Sequence, residues 1–340
     1  DAGATALDGV DGAISVVASG TVNNAVVGVY TITYTATDAA GNIGTASRTV
    51  NVSPLPLATT IISADTTLAA GEYTYDNLVV TNNAVLTLQG DMNSANAFKG
   101  VKITAVNITI NSGSSISADR QGYTTNGPGS PLIPNFNAGG SYGGVGQFNT
   151  ASSPYGSAAM PMDLGSGGFD GNRAGGAIRI VVTDTITNNG IVSADGNLNS
   201  TGGSIYVTTK HLAGSGTFEA NGGGIHYGYR PGSGGRIAIH YQTSSFSGQA
   251  EALGGCGSSD GGSTIICSGD GTVGLFDELL NNLYLTGTWK FMASDAPFSF
   301  NNIYLSSNAV VTSEDSMSLT ANSLSIDGSS SFVFSNNQTI

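Results

Sequence analysis

Gly202-Gly203-Ser204-Ile205-Tyr206-Val207 returns 32 residues later as Gly234-Gly235-Arg236-Ile237-Ala238-Ile239, and this pair governs the reading of the chain. The same phrase, two glycines followed by alternating apolar residues, stands at Gly175-Gly176-Ala177-Ile178-Arg179-Ile180 and at Gly261-Gly262-Ser263-Thr264-Ile265-Ile266. A second phrase follows the first three copies: Ile191-Val192-Ser193-Ala194-Asp195-Gly196, Thr217-Phe218-Glu219-Ala220-Asn221-Gly222 and Gln249-Ala250-Glu251-Ala252-Leu253-Gly254. Ser115-Ile116-Ser117-Ala118-Asp119 is an earlier copy. A unit of about 27 residues holding two or three short strands cannot bury its apolar face alone, but stacked copies can, which predicts a parallel β-helix with rungs about 4.8 Å apart. Inward columns are then expected to hold Ile178, Ile205, Ile237 and Thr264, and two positions along, Ile180, Val207, Ile239 and Ile266.

Working outward, Asn77-Leu78-Val79-Val80-Thr81-Asn82-Asn83-Ala84-Val85 recurs as Asn302-Ile303-Tyr304-Leu305-Ser306-Ser307-Asn308-Ala309-Val310, and Asn282-Leu283-Tyr284-Leu285 is a shorter copy. Residues 73–340 are expected to form roughly eight coils, a rod on the order of 40 Å. A Gly-, Ser-, Pro- and Asn-rich excursion at about 122–171 interrupts them, and loops that long inside a repeat are usually functional or partner-facing. Leu275–Leu283 has helical spacing but is too short to decide anything. Pro54-Leu55-Pro56 ends a strand and marks 54–72 as a linker and lead-in to the solenoid. Residues 1–53 carry the hairpin of strand 29–37, turn 38–42 and strand 43–52, which predicts a small β-sandwich short of its first strand. The fold class is therefore all-β, a sandwich incomplete at its N-terminus plus a β-solenoid.

Of 340 residues, 39% are hydrophobic and 10% charged, with 50 glycines and a formal net charge of −13. Four lysines and six scattered arginines provide no basic patch, which argues against nucleic acid and anionic membranes as partners. No apolar run approaches the roughly 20 residues of a membrane-spanning helix, so no membrane insertion is expected. Asp1 follows neither a Met nor a leader, so the sequence is read as a processed or trimmed piece. Cys256 and Cys267, 11 positions apart between Gly-rich turns, suit one short-loop disulfide in an oxidising compartment.

No catalytic residue is assigned. The loop Ile225-His226-Tyr227-Gly228-Tyr229-Arg230-Pro231 carries the candidate glycan-binding set, His226, Tyr227, Tyr229 and Arg230, because aromatic faces and a cation stack on sugar rings. The competing reading packs this loop against the 122–171 excursion. An outward column of Ser117, Ser193, Glu219 and Glu251 brings two carboxyls to about 5 Å if 219 and 251 are on adjacent coils, the separation of retaining glycosidases. Solvated or cation-sharing carboxylates are the simpler reading. Arg179 and Tyr206 share an outward column and suit a structural cation–π pair. His211, His226 and His240 fall at no zinc-ligand spacing, so no metal is assigned. Asp8, Asp11, Asp260 and Asp270 in turns allow an oxygen-only calcium site, against their ordinary role of closing the turn. No other cofactor is expected.

Asp1-Ala2-Gly3-Ala4-Thr5-Ala6, Asp8-Gly9-Val10-Asp11-Gly12 and the run Gly28–Asn42 give residues 1–53 a resemblance to the bacterial immunoglobulin-like domains of the HYR type found in large exported surface proteins. The phrases Gly202–Thr208 and Gly234–Tyr241 make residues 60–340 resemble the Gly-rich β-helical repeats of bacterial adhesins. These resemblances imply export and a surface or matrix location, and no particular chemistry. The sequence reading is thus a non-enzymatic extracellular spacer or adhesin. It carries a candidate glycan or cell-surface ligand and open β edges that favour self-association into head-to-tail filaments. A polysaccharide lyase or glycoside hydrolase working on the solenoid face is the alternative.

Overall fold

The computed structural model describes residues 3–125, 127–131, 138–147, 153–168, 171–225, 230–258, 265–314 and 317–334. The chain divides into two compact units, Asp1–Leu57 and Ala58–Ile340.

In the first unit, strands β1 (Ala6–Asp8) and β2 (Gly12–Ile14) form a hairpin, and β3 (Val16–Ser19), β4 (Gly28–Thr37) and β5 (Ile43–Val52) form an antiparallel sheet with β4 in the middle. The central strand buries Ile32 and Tyr34, as its alternation requires. The Asp8 carboxylate accepts the N–H groups of Val10 and Asp11, closing the β1–β2 turn, and these bonds hold its pKa low. At the β4–β5 turn the Asp38 carboxylate accepts the Asn42 N–H at 2.7 Å.

The second unit opens with a coil built from β6 (Thr59–Ile62) and β7 (Thr66–Leu68), within the 54–72 lead-in. Further coils each supply a long strand and a short one: β8 (Gly71–Val80) with β9 (Val85–Leu88), β10 (Val101–Ile110) with β11 (Ser115–Ser117), β12 (Ala177–Asn188) with β13 (Ile191–Ser193), β14 (Ser204–Ala213) with β15 (Thr217–Glu219), and β16 (Arg236–Ser244) with β17 (Gln249–Glu251). The long strands pair in parallel in chain order, and the short strands form a second parallel sheet running from β7 to β17. Between the sheets the backbone turns through left-handed residues such as Asn82 and Asn83, at φ 59° and 56°. Asn tolerates this region better than other side chains. Inward side chains stack as columns because parallel partners face the same way: Ile178, Ile205 and Ile237 in one, Ile180, Val207 and Ile239 in the next, all fully buried.

These columns do not continue into 261–266. Ile265, Ile266 and Cys267 form β19 (Ile265–Cys267), which pairs antiparallel with β18 (Cys256–Ser258) in a separate hairpin; Thr264 lies outside the described residues. The next rung is β20 (Thr272–Asp277), where Val273 stands beside Ile237 and Leu275 beside Ile239. The reason is covalent: Cys256 and Cys267 are bonded, and this closes the segment on itself.

At β20 the solenoid changes direction. The strand β21 (Asn282–Phe291) pairs antiparallel with it, and β22 (Phe298–Ser313), β23 (Leu319–Ile326) and β24 (Ser331–Val333) then follow β21 in parallel. The helical spacing of Leu275–Leu283 is this reversal: a strand end, a turn in which Asp277 Oδ1 accepts the Leu280 N–H and Asn281 is left-handed, and a new strand. The core changes face as well. Val273 and Leu275 pack into the first core, whereas Phe276, Leu283 and Leu285 belong to a second core with Trp289, Phe291, Ile303 and Leu305. Tyr206 and Ala238, outward residues of the first stack, are part of it. Reversing strand direction and core face together leaves the hand of coiling unchanged. Reversing one alone would invert the hand of one stack, against the strong right-handed preference of parallel crossovers.

Gly274 sits at this joint. A Cβ there would lie 2.7 Å from the Trp289 ring and 2.9 Å from Phe276, so only glycine lets the second core close onto β20.

Candidate functional site

The outward column of the short strands stands as predicted in register: Ser117 beside Ser193, Ser193 beside Glu219, Glu219 beside Glu251. Rungs one strand apart bring the last two carboxyl-bearing residues to the ~4.8 Å interstrand spacing. Partial burial, with Asp119 and Glu251 near by, raises the Glu219 pKa. Just beyond these strands an Asx ladder climbs the same corner: Asp119 Oδ1 accepts the Asp195 N–H at 2.7 Å, Asp195 Oδ1 the Asn221 N–H at 2.6 Å, and Asn221 Oδ1 the Leu253 N–H at 2.8 Å. Burial pushes the Asp195 carboxyl up to about 7, against the pull of its bond from the Asn221 N–H. These carboxyls serve the backbone of the next coil.

The described parts of the excursion lie against the first stack as a strap. Its backbone docks directly on the glycine corners: the Gly143 N–H bonds the Gly234 carbonyl, Gly140 bonds Asn199, and Gly165 bonds Gly175. A Cβ on Gly143 would meet the Gly235 carbonyl oxygen at 1.9 Å, so the strap is Gly-rich because backbone packs on backbone. Beneath it is a buried polar network. Tyr142 Oη and Ser204 Oγ are 2.5 Å apart, Ser204 Oγ donates to the Asp163 carbonyl, and Tyr155 Oη donates to the Leu164 carbonyl at 2.7 Å. Arg236, 1% exposed, donates Nε to the Tyr155 carbonyl at 3.0 Å and lies over the Tyr142 ring at 5.4 Å. Burial raises both tyrosine pKa values and the Asp163 pKa and lowers that of Arg236.

Next to this network His240 stacks on Phe276, ring centres 4.1 Å apart, with Nδ1 2.6 Å from Glu278 Oε1 and Nε2 3.0 Å from the Ala159 carbonyl. The carbonyl can only accept, so Nε2 carries hydrogen. The His240 bond holds the Glu278 carboxyl below its usual range. The strap also reaches the second stack, where Asp295 Oδ2 accepts the Ala158 N–H. Sequence reading missed Arg236, His240 and Asp163 as a group. The available signal was Arg236 itself, the odd residue at a position that Ala177, Ser204 and Thr272 fill in the neighbouring rungs.

Among the predicted site residues, His226, Tyr227 and Tyr229 lie outside the described residues. Arg230 is half-buried; its carbonyl accepts from Asn199 Nδ2, and the adjacent Pro231 carbonyl accepts from the strap residue Gln147. Cys256 and Cys267 form a disulfide. Arg179 lies 5.8 Å over the Tyr206 ring. His211 and His240 stand on different strands, and among the described residues no group of three His, Cys, Asp or Glu side chains is placed to hold a metal ion. Asp11 and Asp270 each accept a backbone N–H, from Ala39 and Gly254, while Asp260 lies outside the described residues.

No helix among the described residues is long and apolar enough to cross a membrane. No curated protein and no solved structure matches the chain. A family model does: residues 1–52 match the Ig-like domain of bacterial surface proteins.

Proposed function

We propose that the chain is an exported, non-enzymatic surface or matrix protein in which an Ig-like module carries a β-solenoid that spaces, adheres or assembles. The observation that carries this reading is the match of residues 1–52 to a bacterial surface Ig-like domain, on the same chain as a solenoid. The disposition of the polar groups supports it. The chemically capable side chains Arg236, Tyr142, Tyr155 and Asp195 hydrogen-bond backbone or neighbouring strands. Loop residues His226, Tyr227, Tyr229 and Arg230 are the proposed contact for a glycan or cell-surface ligand, and open sheet edges the proposed route to head-to-tail self-association.

Antibody against the solenoid should label intact cells of the producing organism, and surface proteolysis should remove the signal. Labelling that requires permeabilised cells overturns the reading. Light scattering at micromolar concentration tests assembly, and a monomer disposes of it. The register of Glu219 beside Glu251, with the Glu219 pKa raised, favours a second reading as a polysaccharide-cleaving enzyme. Release of reducing or unsaturated ends from a polysaccharide panel, abolished by Glu219→Gln or Glu251→Gln, would establish it.

A further inference from the structure

The two sheets of the first stack do not end together. The long sheet runs on through β20 into β21, but the short-strand sheet stops at β17, and among the described residues no strand pairs with its far edge. The side on which each β17 backbone group points follows from the ladder. The Gln249 N–H bonds the Gly216 carbonyl and the Ala220 N–H bonds the Glu251 carbonyl, so residues 249 and 251 face β15. In an extended strand the intervening residue faces the other way, so the N–H and C=O of Ala250 are directed off the edge. The next outward-directed carbonyl, Ala252, already accepts the Gly271 N–H, which shows that this side does bond when a chain passes.

Above the edge is a cavity of about 490 Å³, within the range of ligand pockets. Its floor is the end of the first core, lined by half-buried Ala250 and buried Val273, and the lining continues along the same sheet to Thr286, the β21 partner of Val273, and on to Asn308. The inward column leading to it is Leu86, Ile116, Val192, Phe218 and then Ala250, so an apolar side chain arriving one rung higher would continue an existing core. The outward neighbours are acidic. Glu251 and Asp270 are the ionisable residues of the lining, and Glu219 stands one rung below Glu251. Like charges stacked on neighbouring strands cost free energy that a cation at the next rung would relieve.

We propose that the free edge of β17 is a strand-addition site for an extended cationic peptide segment of a partner protein. The segment's backbone pairs with Ala250, an apolar side chain seats on Ala250 and Val273, and flanking Lys or Arg side chains meet Glu251 and Asp270. Such a segment is read as alternating basic and apolar residues over about five positions, with affinity from main-chain bonds and selectivity from the alternate side chains. This goes beyond the surface-protein reading and does not depend on it, since an intracellular protein or an enzyme could use the same edge.

The test is fluorescence anisotropy of the full 340-residue chain with a labelled heptapeptide of alternating Lys and Val. Saturable binding is expected, weakened at least tenfold when alternate peptide nitrogens are methylated and several-fold when every Lys is replaced by Thr. Thr286→Trp, which fills the cavity from the strand beside Val273, should abolish it. Glu251→Gln should weaken it several-fold and flatten its dependence on salt. Equal binding of the methylated and parent peptides, binding untouched by both protein variants, or no anisotropy change up to millimolar protein overturns the proposal. So does displacement of the peptide by a neutral tetrasaccharide with an affinity that exceeds the peptide's, or a chain dimer that Thr286→Trp dissociates. The peptide-side changes keep the test decisive even if a protein variant folds poorly.

Discussion

The two stacks share one sheet and solve the same burial problem with different means. Past its first coil, where Thr59 and Asn77 are only 18 residues apart, the first uses long coils, in which hydrogen-bonded equivalents such as Asn77 and Asn107 are 30 residues apart and Asn221 and Leu253 are 32 apart, around columns rich in Ile and Val. The second uses short coils, with Asn282 and Asn302 20 residues apart and Asn302 and Ser323 21 apart, around Trp289, Phe291, Phe298 and Phe332. A shorter coil encloses a narrower interior with fewer inward positions, and large aromatic rings fill it with fewer side chains. The wide coils also have room to bulge, and the excursion and the disulfide hairpin both leave from the first stack. The comparison teaches that coil length and side-chain size are exchanged against each other, while the interstrand step is common to both.

The largest expected effect separates the two cores. Trp289 is 0% exposed, so Trp289→Ala should cost about 3–5 kcal/mol. Because the first core is built from other residues, hydrogen exchange should accelerate across 282–326 and stay slow across β10 to β16. Loss of protection in both stacks at once would mean that they unfold as a single unit despite their separate cores.

Arg236→Ala tests the strap, the element that bridges the outer face of the first stack and the second core. It leaves the buried Tyr155 carbonyl without its donor, while the Tyr142 carbonyl keeps the Tyr155 N–H, at a cost of roughly 2–3 kcal/mol. The expected readout is proteolysis within 138–168 at rates well above those of the parent, with the Ile columns of the first stack still protected.

Asp195 gives the first stack a pH dependence opposite in sign to that of the second, where hydrogen bonds hold the Glu314 and Asp327 carboxyls low. Its pKa rises from 3.8 unfolded to about 7 folded, so folding favours the protonated form. Stability from this group is therefore greatest below pH 3.8 and declines as pH rises towards 7, by a few kcal/mol at most. Asp195→Asn keeps the acceptor for the Asn221 N–H and removes the charge. Thermal melts should show the variant gaining stability at pH 8 and a flatter profile between pH 4 and 7. A variant that melts lower than the parent at pH 8 would show that the carboxylate's own bond outweighs its burial.

The smallest global effect is expected from the disulfide. A loop of this length is worth on the order of 2–3 kcal/mol by chain entropy, but β18 and β19 pair only with each other, so the constraint is local. Cys256→Ser with Cys267→Ser should open the 256–267 segment to proteolysis and leave the main melting transition within a few degrees.

The columns were legible in the sequence because inward residues repeat in identity and phase: Ile205 and Ile237 touch as their phrases imply. The reversal was not, because alternation reads the same in either chain direction. Asn282-Leu283-Tyr284-Leu285 and Asn302-Ile303-Tyr304-Leu305 are neighbours as expected, but the resemblance of both to Asn77–Val80 concealed that their strands run the opposite way. The turn chemistry of Asp277, Asn281 and Asn282 carried the missing signal. Gly261–Ile266 misled for a related reason, since a two-glycine phrase satisfies a solenoid corner or a hairpin, and only the flanking cysteines distinguish them. In the site, the Glu219–Glu251 register followed from the repeat, whereas Arg236, Tyr142, Tyr155 and Asp163 converge through a strap whose docking on glycine backbone no side-chain pattern encodes.

The joint at β20 and β21 has one more implication. Since it conserves the winding sense, coils on either side are independent increments, and deleting or duplicating one between β12 and β16 would shift the joint by a single strand width of ~4.8 Å without altering its geometry. Reach in such a molecule is graduated like a ruler, and a lineage could lengthen or shorten it by whole divisions while the clasp between its two halves stayed the same.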